Sequence, residues 1–238
     1  NLFTVKHRKT AYNKVGIFIF HIPDKFFYRI FLGHTFGEEN VGLYQLVFPV
    51  YALGISFSCA GTELALSRCV AQENAAGHPE KAKELLKTGL IFTFVLSCIL
   101  TIFLQHNAHM TAISFLHDSR CEELLILLSY TFPFASIHSC ICGYSLGLKQ
   151  TKIPAVSQLF EQTFRILFVF LFCYYRTSHQ LDLSISFAVV GLAMGEIFAS
   201  CYCLYSIHHT ASKQVQNLLS ASTFCIHLSR LFRHAFPL

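Results

Sequence analysis

The sequence predicts an all-α fold, a polytopic membrane helix bundle of about six transmembrane helices and the start of a seventh. Three observations predict it. Charged residues make up 13% of the chain and hydrophobic ones 53%, with 25 Phe, whereas soluble domains carry about 25% charged residues. The apolar residues gather into runs near the ~20 residues needed to cross a hydrocarbon core. Lys and Arg cluster in alternate connections between those runs, as the positive-inside rule requires.

Taken in order, the first candidate span is Val15–Phe36, a poor one because it contains Pro23, Asp24, Lys25 and Arg29. Alone it reads as an interfacial or broken helix. Gly37 to Asn40 is a short outer turn, and Val41–Thr62 follows without a charged residue. The stretch from Arg68 to Lys87 reads as the one long cytoplasmic loop, with the turn Gly77-His78-Pro79 leading into an amphipathic surface helix, EKAKELLK. That helix feeds a third span, Gly89–Leu104, which is slightly short and extends back into Leu85–Thr88. Leu124–Leu148 is the fourth span and includes Pro133; Ile153–Tyr175 is the fifth; Leu183–Ile207, charged only at Glu196, is the sixth. The division expected is a basic cytoplasmic N-terminus over 1–14, a six-span body over 15–210, and over 211–238 a cytoplasmic linker with the start of a truncated seventh span.

Charge placement fixes the expected orientation. With the N-terminus in the cytoplasm, that side holds Lys6, Arg8, Lys9, Lys14, Arg68, Lys81, Lys83, Lys87, Lys149, Lys152, Lys213, Arg230 and Arg233. The outer loops hold Arg120 and Arg176. The net charge of +5 thus follows topology and does not indicate a nucleic-acid partner. The expected partners are membrane lipids and a substrate within the membrane.

The fifth span carries Glu161 and Arg165, one helical turn apart on one face and in the favourable order. A charge at the bilayer centre costs about 2.5–3.5 kcal/mol on insertion scales, so such groups face a protein interior or a wet cavity. The pair reads either as a functional site or as a self-neutralising packing element. Glu196 is flanked by small residues in GLAMGEIFAS, which allow close helix approach and a carboxylate hydrogen bond across it. Gln45, Gln158 and Gln162 read as buried amides. Pro49, Pro133 and Pro154 mark places where spans can bend.

Other chemistry is not expected. There are ten Cys but no C-x-x-C, and the two C-x-C pairs, Cys140/Cys142 and Cys201/Cys203, lie in apolar runs where Cys acts as a small hydrophobe. His106, His109, His208 and His209 sit at span ends without companion ligands, so neither a disulfide framework nor a metal site is expected. No nucleophile–base arrangement, phosphate loop or cofactor motif is present, so an enzyme is not expected either.

Three stretches are more specific than hydropathy: KFFYRIFLGHTFGEENVGLYQLVFPVY (25–51), CAGTELALSRCVAQENAAGHPEKAKELLK (59–87) and GYSLGLKQTKIPAVSQLFEQTFRI (143–166). Together they resemble the lipid-linked-sugar flippases of the multidrug/oligosaccharidyl-lipid/polysaccharide exporter superfamily, in the stage V sporulation protein B-like branch related to the lipid II flippase. The resemblance covers the family's N-terminal half. Its elements here are Tyr28-Arg29, Gly42 to Gln45, Pro49 to Tyr51, Ala60-Gly61, Ala65 to Arg68, Gly147 to Pro154 and Ser157 to Arg165. The family pattern departs at Thr62-Glu63, where apolar residues and Pro are usual after an Ala-Gly turn.

The resemblance implies a MATE-like transporter lobe that moves an undecaprenyl-pyrophosphate-type oligosaccharide by alternating access. The missing C-terminal lobe would be its partner. Arg29 is the first candidate for phosphate, because a planar guanidinium matches phosphate oxygens and stays charged. Arg68 is the basic position near the cytoplasmic mouth. Arg165, Glu161, Gln45 and Gln162 complete the candidate substrate-binding set, with Glu161 and Asp24 as candidate coupling-ion carboxylates. Two alternatives remain open: a cation-coupled small-molecule (multidrug) exporter of the same superfamily, and a non-transporting truncated fragment.

Overall fold

The computed structural model describes residues 28, 30–178 and 184–211. Most of the first candidate span, Asp24, Arg29, the N-terminal segment 1–14 and residues 212–238 lie outside the described residues. Helix α1 (residues 30–36) ends at Gly37, whose positive φ of 82° favours glycine. Glu38 and Glu39 then open α2 (Glu38–Ile55), where acidic side chains suit the positive end of the helix dipole. The predicted outer turn is thus Gly37 alone, with Glu38 to Asn40 already helical.

The largest departure from expectation follows. Ala60-Gly61 is not a turn. A π-helical segment (Ser56–Ala60) joins α2 directly to α3 (Gly61–Ala75), and Gly61 keeps helical angles of −62° and −43°. No Pro stands at Thr62-Glu63 to stop the helix, so one continuous helix of 38 residues results. At 1.5 Å per residue it is about 57 Å long, nearly twice the ~30 Å hydrocarbon core.

The predicted long loop also shrinks. Only Ala76 to His78 separate α3 from α4 (Pro79–His106), because no residue before Gly77 breaks the helix. Gly77 takes a φ of 78°, and Pro79 opens α4 where its missing N–H costs nothing. EKAKELLK is the first part of α4 rather than a separate surface helix.

Beyond α4, a one-turn α5 (Ala108–Met110) and a second π segment (Thr111–Phe115) turn the chain towards α6 (Cys121–Ser129). α6 and α7 (Thr131–Gly147) meet at a 42° bend. Pro133 falls in the first turn of α7, where it leaves the preceding helix without a donor. Hydroxyls take up the slack at the break: Thr131 Oγ1 donates to the Leu128 carbonyl at 2.6 Å, and Thr101 Oγ1, from α4, shares its proton between the Ser129 carbonyl at 3.0 Å and the Ser97 carbonyl of its own helix at 2.9 Å. Two long helices, α8 (Lys152–Ser178) and α9 (Ser186–Ala211), complete the described bundle.

Among the described residues, four helical segments are long and apolar enough to cross a membrane, and the bent α6–α7 pair makes a fifth. Large apolar side chains such as Phe57, Ile102, Phe103 and Phe170 are exposed around the bundle, as lipid-facing positions must be. The main core joins Leu32, Val47, Tyr51, Leu125, Phe132, Val169 and Leu192. At one end a second core packs Val70, Ala82, Leu86, Leu148 and Ile207 together. That contact gathers Arg68, Lys81, Lys83, Lys149 and Lys152 at the same end of the bundle. The opposite end is acidic, where Arg120 bridges Glu39 at 2.6 Å and Asp118 at 2.9 Å, and His109 meets Glu122 at 2.7 Å. Hydrogen bonds from Arg120 hold the Asp118 carboxyl below its ordinary value.

Candidate functional site

Two pairs of helices approach closely because glycine removes the side chain between them. On α7, a Cβ at Gly143 would lie 2.7 Å from the Glu63 carbonyl oxygen, and one at Gly147 2.8 Å from that of Ser67, so α3 and α7 touch backbone to backbone. On α9, a Cβ at Gly195 would lie 2.7 Å from the Glu161 carbonyl oxygen of α8. The small residues around Glu196 therefore do what the sequence expects of them.

That second approach sets Glu161 and Glu196 side by side inside the bundle. Arg165 Nη2 donates to Glu161 Oε1, and Arg165 Nη1 reaches Gln162 Oε1 at 3.4 Å. Both charged side chains are nearly buried, at 9% and 12% exposure. In such a site an unpaired charge would be far costlier than the pair. Glu196 takes a hydrogen bond from the Tyr51 hydroxyl at 3.1 Å and meets His138 Nδ1 at 3.1 Å. His138 Nε2 lies 3.0 Å from Ser157 Oγ. The single Ser200 hydroxyl proton is shared between the Glu196 carbonyl at 2.6 Å and that of Phe134 at 2.8 Å. One polar cluster thus ties α2, α7, α8 and α9 together, with Glu196 at its centre.

The expected site residues divide three ways. Glu161, Gln162 and Arg165 come together; Glu161 and Gln162 are buried and Arg165 nearly so. Arg68 does not join them: it is exposed on α3 at the basic end, level with Gly147 and about 13 Å along α7 from His138. Gln45 and Gln158 are exposed rather than buried. Gln45 stands two residues, or about 200°, from both Leu43 and Val47, whose face α2 turns into the core. Arg29 and Asp24 lie outside the described residues.

Sequence reasoning missed Tyr51 and His138, and it did not assign Glu196 its partners. The signal was there in part: a lone Glu in one apolar span and a lone His in another each need a partner, and these two are 58 positions apart. It also missed Glu63, which accepts a 2.7 Å hydrogen bond from Ser139 across the α3–α7 contact. An apolar crevice of about 670 Å³ opens elsewhere, lined by Leu53, Phe57, Phe103, Phe115 and Phe132. Its lining is mostly apolar, with the Ser56 and Thr111 hydroxyls as polar groups and no cation.

Fold and site together define a multi-pass helical membrane protein with ionisable groups buried inside its bundle. The polysaccharide biosynthesis protein family matches residues 16–236, and the chain belongs to that family. It is similar to the stage V sporulation protein B of Bacillus subtilis (strain 168), 29% identical over 174 residues, covering 73% of this chain and 34% of the relative. It is also similar to two other proteins of that organism. One is the sporulation protein YkvU, 21% identical over 76% of this chain and 39% of the relative. The other is the lipid II flippase MurJ, 27% identical over 56% of this chain and 26% of the relative. The matched part is therefore between about a quarter and two fifths of each relative's length. No solved structure matches.

Proposed function

We propose that the chain contributes one lobe of a flippase that carries an undecaprenyl-pyrophosphate-type, lipid-linked oligosaccharide across the cytoplasmic membrane by alternating access. The observation that carries the reading is Arg165. It is nearly buried in the fifth predicted span, it is held by Glu161, and its buried Nε donates to nothing among the described residues. A guanidinium with an unpaired N–H in a low-dielectric site is a ready partner for a phosphate oxygen. Membership of the polysaccharide biosynthesis family, and a flippase among the relatives, support the substrate class. Arg29 is the second phosphate candidate, and Arg68, at the basic end, would meet the headgroup as it enters from the cytoplasm. By the positive-inside rule that basic end, and with it the N-terminus, faces the cytoplasm. Gln162 and Gln45 would serve sugar hydroxyls. Glu161 would couple transport to a cation or proton, with Asp24 as its alternative. In this reading the bundle faces a second lobe, and residues 15–210 act as one unit.

The second reading is a cation-coupled exporter of small molecules. It is favoured by the balance of the buried cluster, which holds Glu161 and Glu196 against Arg165 and His138. One experiment separates the two. The gene, in its complete form, is tested for rescue of a strain lacking its lipid II flippase, beside Arg165→Met and Arg29→Ala versions. Rescue lost in both variants is expected. Unchanged rescue by both sinks the phosphate role, and drug export without rescue by the parent favours the exporter.

A further inference from the structure

The two C-x-C pairs look inert in sequence, yet the bundle brings one thiol of each to the same histidine. Cys142 sits one helical turn after His138 on α7, and Cys203 reaches them from α9. The two sulfurs and a ring nitrogen of His138 all lie within 4.8 Å of one another, and both cysteines are buried. A tetrahedral zinc site with Zn–S of about 2.3 Å and Zn–N of about 2.0 Å sets its donors about 3.5–3.8 Å apart. Side-chain adjustments of about an ångström close that difference.

The surroundings prepare the imidazole for a metal. Glu196 Oε2 lies 3.1 Å from Nδ1. A carboxylate there accepts the Nδ1 proton and leaves the Nε2 lone pair free, the arrangement that orients metal-binding histidines. Nε2 points to the side where Ser157 Oγ lies 3.0 Å away, and that hydroxyl is also 3.6 Å from Cys142 Sγ. Ser157 has one proton, and the Pro154 carbonyl accepts it at 2.9 Å, which leaves its oxygen lone pairs available as a fourth donor. The neighbouring set, His138 with Glu161 and Glu196, offers carboxylate oxygens in place of thiolates and is the poorer match for a thiophilic ion.

We propose that His138, Cys142 and Cys203 bind a thiophilic divalent cation of the zinc class, with Ser157 at the fourth position and Glu196 holding the imidazole. The charge balances within the site. One Zn²⁺ replaces two thiol protons, which leave to solvent, so two thiolates and a neutral imidazole hold the ion with no net charge in the apolar bundle. The bound ion would tie α7 to α9 beside the polar cluster. The proposal stands apart from the transport reading, since it needs neither a substrate nor a second lobe.

The test uses the full chain, purified in detergent under reducing conditions and supplied with Zn²⁺ or, as a spectroscopic probe, Co²⁺. One equivalent of metal per chain is expected, with thiolate-to-cobalt charge-transfer absorption. Cys142→Ser and Cys203→Ser should lose the absorption, Cys201→Ser should keep it, and Glu196→Gln should weaken binding about 10- to 100-fold. A measurement on the unaltered protein guards against variants that fail to fold: a chelator should raise the number of maleimide-reactive thiols by two. Three outcomes overturn the proposal. They are no stoichiometric metal, absorption that survives loss of both Cys142 and Cys203, and a disulfide joining these two cysteines in the reduced preparation.

Discussion

The bundle has two glycine seams, and they differ in what they enclose. Along α3 and α7, Gly143 and Gly147 bring backbones together, and the groups between are Ser139, Glu63 and apolar side chains. Along α8 and α9, Gly195 does the same and Gly191 makes room for the Val169 side chain, but here Glu161, Arg165 and Glu196 are sealed inside with His138 and Tyr51. Close packing by itself therefore marks neither seam as functional. The second seam costs stability to maintain, because each ion gives up water and is repaid only through partners. A protein that needed packing alone could have two seams like the first.

The comparison can be broken experimentally, and the largest effect should come from splitting the ion pair. Arg165→Met leaves Glu161 buried without its cation and should cost about 3–5 kcal/mol, read as unfolding by denaturant in detergent. The double change Glu161→Leu with Arg165→Met should recover most of that loss. If the double variant is no better than the single one, the pair is not what offsets the burial. Next come the seams. Gly143→Leu and Gly195→Leu should each cost about 1–3 kcal/mol through overpacking, while Gly42→Ala, where a Cβ meets nothing within 4 Å, should stay near the parent. Equal thermal stability in all three would mean the helices can part without cost.

Smaller again is Tyr51→Phe, which removes one donor from Glu196 and should lower stability by about 1 kcal/mol. A double-mutant cycle with His138→Phe would then show whether the two donors share one carboxylate as the geometry implies. The smallest effect belongs outside the membrane. Asp118 has its folded-state acidity strengthened by Arg120, so its contribution is present above the unfolded carboxylate value of about 3.9 and is lost as pH falls through the lower folded value. Arg120→Ala should abolish that acid dependence, and added salt should shrink the difference between variant and parent.

Much of this was legible in the sequence because hydropathy and i,i+4 spacing are local. The α4, α8 and α9 spans, the Glu161–Arg165 pair and the Gly77-His78-Pro79 break could all be read from neighbouring residues. The continuity of α2 into α3 could not, since the Ala60-Gly61 pair suits a turn or a helix equally and only packing decides between them. The Tyr51–Glu196 contact joins positions 145 apart, and no local pattern encodes it. Gln45 was misplaced for a related reason: burial depends on which face of α2 finds a neighbour, and a lone amide does not announce its face.

The break between α6 and α7 bears on how the chain is built. α6 has nine residues, so it rises about 14 Å and cannot cross a ~30 Å core alone. The two halves must enter the membrane as one bent unit, with a carbonyl at the bend that needs a donor. Thr101, which supplies it, belongs to α4 and has already been synthesised when Ser129 emerges from the ribosome. At this bend the later helix is thus received by an earlier one that already holds the hydrogen-bond partner it lacks.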